Sequence, residues 1–459
     1  MKPILLPLCL CLSLAGLAVV APVFVAADAG DEGAFKAGAA SADITPQEPV
    51  RLGGYASRDK AHEGVEHRIF VKALALEDET GAVTLILTAD TIGTPRWFND
   101  ELAGRIEREL AIPRERFLFA NSHSHTAPVV SGCLEDMYGL VGEEAEATER
   151  YTRYFLDQSF AAAKAALAER EPVTLRFGRG KAGFAANRRA FTEKGVNFGV
   201  NPNGAVDHEV PVLCAERSDG SRKAVVFGYA CHCTTAGDSY RVCGDWAGFA
   251  QDYLERADPG LTALFITGCG ADSNPNPRGS HLLARMHGLE LAGAVANALR
   301  ESTMPVRGPV SAAFDRVDLP FEDSAVRSRY EELAKNNQPA TQRYAKRYLD
   351  MLDRGEALPT SYPCPVQVLR FGGDLTLVAL GGEVVVDYSL RLKRELAGRQ
   401  LWVAGYCNDV FAYVPSVRIL HEGGYEADRS ITYFGLPTRF STKIEDLLVG
   451  RVLEMVDAP

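Results

Sequence analysis

Residues 117–130 read FLFANSHSHTAPVV. An uninterrupted apolar run, Phe117–Ala120, gives way to Asn121 and then to two histidines one residue apart, His123 and His125, closed by Pro128. A short apolar run bounded by turn-forming residues reads as a strand buried on both faces, the kind found inside an α/β sheet. In extended backbone, residues i and i+2 point the same way, so the two imidazoles share one side just past the strand end. Neutral imidazole is a good zinc ligand, and two of the chain's nine histidines stand in this one loop.

The pattern recurs. VVFGYACHC (225–233) carries His232 at the end of an apolar run, and LTLVALGGE (375–383) carries Glu383 after a double glycine. A glycine pair lets two backbones approach closely. LTALFITGCGADSNPN (261–276) runs into Gly268, Gly270, Asp272, Ser273 and Asn274. Four apolar runs thus each finish in a chemically able residue. Ligand sites of α/β proteins gather outside the carboxyl ends of strands, so one shared site is expected. Cys231 and Cys233 flank His232, but no C-x-x-C accompanies them. They read as small apolar fillers on a buried strand rather than a zinc-thiolate cluster.

Outward from these runs, strands and helices alternate. RIFVKALALEDETGAVTLILTAD (68–90) reads as two strands turning at Thr80–Gly81. Helices are expected over 97–110, 151–169, 245–257, 281–302, 385–397 and 441–456, with a charged helical excursion over 324–356. Further strands are expected at 173–180, 210–231, 366–372 and 401–407. No internal repeat and no composition break divides the chain. The expected fold class is therefore α/β: a single large domain with mixed β-sheets flanked by helices and a metal site at the strand ends.

Residues 1–27 differ in kind. Lys2 precedes a long uncharged apolar stretch, and Val25 and Ala27 fit the −3 and −1 positions of a signal-peptidase site. A secretory signal cleaved near Ala27 is expected, followed by a linker over 28–36 and the folded domain over 37–459. An uncleaved membrane anchor is the other reading of that stretch. Eight cysteines lie outside it, and export would permit disulfides that a domain of this size does not need. A formal charge of −11 with no basic run excludes nucleic acid as a partner.

The chain resembles the N-terminal catalytic domain of the neutral (non-lysosomal) ceramidase family. The likeness begins at ADITP (42–46), passes LGGYASR (52–58) and HRIFVKALAL (67–76), and reaches NSHSHTAP (121–128). It continues through AANRRAF (185–191), VDHEVPVL (206–213), YACHCTT (229–235) and GADSNPN (270–276). VALGGEVVVDYSLRLK (378–393) and GYCNDVFAYVPSVRILHEGGYEA (405–427) complete it. Ser122 and T-A-P-V-V stand where the family has a threonine and S-G-P-G-G, and the family's C-terminal immunoglobulin-like domain has no counterpart over 37–459.

The resemblance implies one zinc ion per chain, on His123, His232, Glu383 and Tyr413. It implies a substrate-facing His125, Arg188 beside the metal and Ser273 in the pocket. Residue chemistry alone does not separate Tyr413 from Tyr406 or Tyr425. The implied activity is hydrolysis of the amide of ceramide or a related N-acyl lipid to fatty acid and amine, with peripheral contact to a membrane surface. Two alternatives remain at this level. One is a zinc hydrolase of the same fold acting on a non-lipid amide or ester of the cell envelope. The other is a non-catalytic binding protein, against which the complete ligand set speaks.

Overall fold

The computed structural model describes residues 35–301, 303–323 and 325–458. The expected leader, 1–27, and the expected linker up to residue 34 lie outside the described residues. The first strand, Phe35–Asp43, starts before the expected boundary at 37 because Phe35 is already core, 1% exposed and paired with Val173.

Three strand–helix–strand units organise the chain. Val83–Ala89 and Phe117–Asn121 are parallel neighbours joined through the helix Arg96–Leu110. Arg222–Tyr229 and Thr262–Thr267 are parallel neighbours joined through Asp245–Ala257. Leu375–Leu380 and Leu401–Ala404 repeat the arrangement through Val386–Glu395. Parallel strands need such crossovers, and each crossover leaves its loops at the carboxyl ends.

The first two units form the edges of one nine-stranded mixed sheet. Between them run Glu209–Glu216, Glu171–Lys181, Phe35–Asp43 and Phe70–Glu77, all antiparallel to their neighbours. The third unit belongs to a four-stranded sheet completed by Val310–Pro320 and Ser361–Phe371. The sheets pack face to face, with helices over both outer faces. Strand periodicity shows the layers: Leu118 and Ala120 point into the inter-sheet core with Leu377 and Trp402, while Phe117 and Phe119 pack under helices with Phe98 and Phe155. With two apolar faces to cover, such strands read as continuous apolar runs.

A short seam joins the sheets beside the strand ends. Asn121 Nδ2 donates to Tyr406 O at 2.7 Å, Gly405 N to Thr267 O at 2.9 Å and Asn408 N to Phe119 O at 2.8 Å. Thr267 Oγ1 reaches Asn121 O at 2.7 Å, so the two far edges of the large sheet meet here.

Two expectations are corrected. Val310–Pro320 is a strand that the sequence reading passed over, because Asp315, Arg316 and Asp318 interrupt its apolar pattern. The long helix runs from Glu143, not 151; its acidic first turn suits the positive end of the helix dipole but hides the apolar period. The charged excursion resolves into helices Arg327–Leu333 and Pro339–Asp353.

Asp409, just past the seam, is buried and accepts one hydrogen bond from Tyr362 Oη at 2.7 Å. Burial pushes its carboxyl from 3.8 up to about 7. The folded state therefore holds this proton more tightly than the unfolded chain, and the resulting stabilisation is lost as pH rises from about 4 to about 7. Asp409→Asn should flatten that part of the stability profile. Urea midpoints between about pH 4 and 8 test this; parallel profiles for the two proteins would exclude Asp409 as a source.

Candidate metal centre

His123 follows the strand Phe117–Asn121, and one residue in left-handed backbone, φ 58°, turns its ring inward. A non-glycine residue seldom adopts this conformation, and such strain clusters at functional sites. Its Nδ1–H donates to Ile92 O at 2.6 Å, and its ring packs on Tyr406 at 4.6 Å. His232 follows Arg222–Tyr229 and is 0% exposed; its Nδ1–H donates to Gly270 O at 3.0 Å. A carbonyl can only accept, so these bonds fix both tautomers and leave both Nε2 atoms as lone-pair donors.

Both Nε2 atoms then point at the same oxygen. Glu383 Oε2 lies 3.1 Å from His123 Nε2 and 3.1 Å from His232 Nε2. Burial, with Arg188 next, pushes His232 down to about 4, so that ring is neutral near pH 7. Converging lone pairs without a proton between them repel unless a cation sits among them. This donor set, two imidazole nitrogens and a carboxylate, suits zinc.

The double glycine explains how Glu383 arrives. Gly382 has φ 80°, and a Cβ there would stand 2.7 Å from Val414 Cγ2 and 2.9 Å from Ala412 O. With no side chain in the way, Glu383–Val384 pairs in parallel with Tyr413–Val414, placing Glu383 in register with Tyr413. The Tyr413 hydroxyl lies 3.3 Å from His232 Nε2. Tyr406 also reaches the centre, donating to Glu383 Oε2 at 3.4 Å, while Tyr425 stands behind Tyr413 at 5.4 Å between ring centres.

His125 completes a cluster of three histidines whose ligand nitrogens lie within 4.8 Å of one another, a group that can hold a metal ion. Its Nε2 is 3.1 Å from His123 Nε2, but its buried Nδ1 has no partner. Metal-bound histidines nearly always anchor their second nitrogen, as His123 and His232 do and His125 does not. Burial, then the two neighbouring imidazoles, push His125 well below its ordinary value. Gly54 makes room for it: a Cβ at Gly54, φ 93°, would fall 2.1 Å from His125 Nδ1.

Arg188 sits beside Tyr413. Its Nη2 donates to the Tyr413 hydroxyl at 3.0 Å, Nη1 to Asn274 Oδ1 at 3.3 Å and Nε to Glu426 Oε1 at 2.8 Å. Arg189 binds the other Glu426 oxygen, so two buried arginines share one buried carboxylate. Burial would raise Glu426, but the arginines reverse that and hold it below its ordinary value. The sequence reading missed Glu426; the signal was the adjacent pair Arg188–Arg189, which needs an anion if either is buried. Ser273 lies in the short strand Ser273–Pro275, opposite Asn187. Its carbonyl accepts from His232 N at 3.1 Å, while its Oγ is buried without a partner. Asn274, not Ser273, faces the cavity above the centre.

That cavity holds about 270 Å³ and is walled by Tyr55, Phe198, Tyr413, Tyr425, Tyr433 and Met137, with His125 at its base. Cys231 and Cys233 pack in the core around Trp246, and burial pushes both thiols well above their ordinary range. They are apolar fillers, and all eight described cysteines are free.

The mixed α/β fold thus delivers two anchored imidazoles and a carboxylate to one point beneath an aromatic cavity, a donor group that can hold a metal ion. The chain belongs to the neutral/alkaline non-lysosomal ceramidase family: the model of that family's N-terminal part matches residues 35–318. This membership makes it a ceramidase-like hydrolase. The match spans His123, His125, Arg188, His232 and Ser273, while Glu383 and Tyr413 lie beyond it. The fold is similar to that of neutral ceramidase from Pseudomonas aeruginosa, at 18% identity and TM-score 0.72, over 93% of this chain and 74% of that one. It is also similar to a ceramidase complexed with C2, at 18% identity and TM-score 0.70, over 92% of this chain and 76% of that one. A search of curated proteins gave no match.

Glu426→Gln would leave buried Arg188 without its carboxylate, while Arg189 keeps Glu422 at 3.0 Å, a loss of about 3–5 kcal/mol for breaking a buried pair. Urea unfolding measures it; a change under about 1 kcal/mol would show that Glu426 does not organise this wall.

Proposed function

We propose that the protein is an exported zinc amidohydrolase that cleaves the amide of ceramide or a related N-acyl lipid, releasing fatty acid and amine. The observation that carries this reading is the convergence of His123 Nε2, His232 Nε2 and Glu383 Oε2, with both histidine protons held by backbone carbonyls. Tyr413 would be the fourth ligand, and zinc held there supplies Lewis acidity to the carbonyl and to a water molecule.

The protein's own residues then have distinct tasks. Arg188, fixed by Glu426, holds the Tyr413 phenol oxygen in place and offers positive charge to an oxygen of the substrate. His125 is neutral and faces the cavity, so it takes a proton from the attacking water and returns it to the departing amine nitrogen. Asn274 presents its amide to a substrate hydroxyl, and Ser273 acts through the carbonyl that steadies His232. The aromatic walls exclude water and accept an acyl chain, which favours a lipid amide over a cell-envelope sugar or peptide.

Purified protein should contain one zinc per chain and hydrolyse N-acyl amines in a chelator-sensitive way. His123→Ala should keep its circular-dichroism spectrum, lose the metal and lose at least about a thousandfold in kcat/KM. Full turnover in that variant would remove His123 from the mechanism. Export rests on the apolar leader; the mature chain should begin at Asp28, and an intact leader on the exported protein would overturn cleavage near Ala27.

A further inference from the structure

The charge around the cavity runs against the charge of the chain. The protein carries 60 acidic and 49 basic side chains, yet no acidic residue lines the cavity and two arginines do. Arg188 is matched by Glu426. Arg278 is exposed at the rim and has no ion-pair or hydrogen-bond partner among the described residues. Its position is fixed: the amides of Gly279 and Ser280 both donate to Thr235 O, at 2.7 and 3.1 Å, in the loop that carries His232.

A second unmatched cation stands behind the same wall. Arg58 is 3% exposed and donates only to carbonyls, those of Gly53, His125, Gly237 and Ser239. Its Nε is buried with no partner, and its guanidinium stacks on the Tyr55 ring at 4.9 Å. Tyr55 lines the cavity with Arg278, and Arg278, the buried Asp245 and Arg58 all bear on its hydroxyl. Asp238 acts on it more weakly, and neither aspartate lines the cavity. A buried arginine without a carboxylate is costly, and an arginine left free at a cavity mouth is a ready anion-binding fork.

We propose that the cavity selects N-acyl substrates whose amine portion carries an anionic group, a carboxylate, sulfonate or phosphate, held at the rim by Arg278 in the field of Arg58. The inference rests on the amidohydrolase reading and names the substrate class within it. A bidentate contact from guanidinium to such a group fixes the amine end, while the acyl chain lies along the aromatic wall. Arg278 is then a specificity-determining residue that touches the substrate away from the reacting bond.

The test uses zinc-loaded full-length protein and a matched pair, an N-acyl taurine and an N-acyl ethanolamine. Both carry the same short acyl chain and are dissolved as monomers, so that no charged lipid surface contributes. Wild type should favour the sulfonate at least about tenfold in kcat/KM, as a charge-assisted contact allows, and the preference should shrink as salt is raised. Arg278→Gln should lower the ratio about tenfold, Arg278→Lys should restore part of it, and Arg278→Glu should invert it. Equal use of the two amides by wild type, or an unchanged ratio in Arg278→Gln, overturns the proposal. Calorimetric binding of the same pair separates the two readings. Preference for the sulfonate without turnover of either amide would sink the amidohydrolase reading and uphold the anion site. Equal binding, or binding of neither, would sink the anion site.

Discussion

Two imidazole nitrogens and a carboxylate oxygen confront one another across about 3 Å of buried interior. The protons that would have relieved the contact are pinned elsewhere, on Ile92 and Gly270. Such an arrangement is unfavourable on its own, because buried lone pairs repel one another. It persists only because the surroundings hold it. The left-handed turn at His123 and the bare backbone at Gly382 each remove an obstacle to the approach. A divalent cation placed among these donors would turn the repulsion into attraction.

The scaffold accounts for how three distant segments meet. Each parallel pair is a strand–helix–strand unit, and each sends a carboxyl-end loop to the same place. The large sheet curls until its edges touch through Thr267 and Asn121, and the Gly405–Asn408 segment ties that junction to the second sheet. Histidines from both edges of one sheet thereby face a glutamate from the other. Layer packing sets the distances, and the seam keeps the two sheets in register.

Much of this was legible in the sequence, for a physical reason. A strand buried on both faces has nowhere to place a polar side chain until it ends, so His123, His232 and Glu383 stood out against the apolar runs before them. Tyr413 did not stand out. Its place in register with Glu383 depends on a two-residue parallel pairing that no local pattern announces. Glu426 was hidden in the same way, since its value lies in the two arginines it neutralises from far along the chain. Ser273 and Asn274 show the limit of a motif: the segment was found, but strand alternation decided which of the two meets the cavity. The strand Val310–Pro320 was obscured by its charges, which sit on a half-exposed strand paired along its whole length to Ser361–Phe371.

The scattering of the centre's donors along the chain sets an order of assembly. No single strand–helix–strand unit contains more than a fragment of the donor set, and His232 gains its neighbours only after the sheets have stacked and the junction at Gly405 has closed. Contacts between remote segments form late, because each loop must be closed before its contact can reward it. Only a correctly stacked molecule therefore brings these donors together, so the cluster forms late in folding.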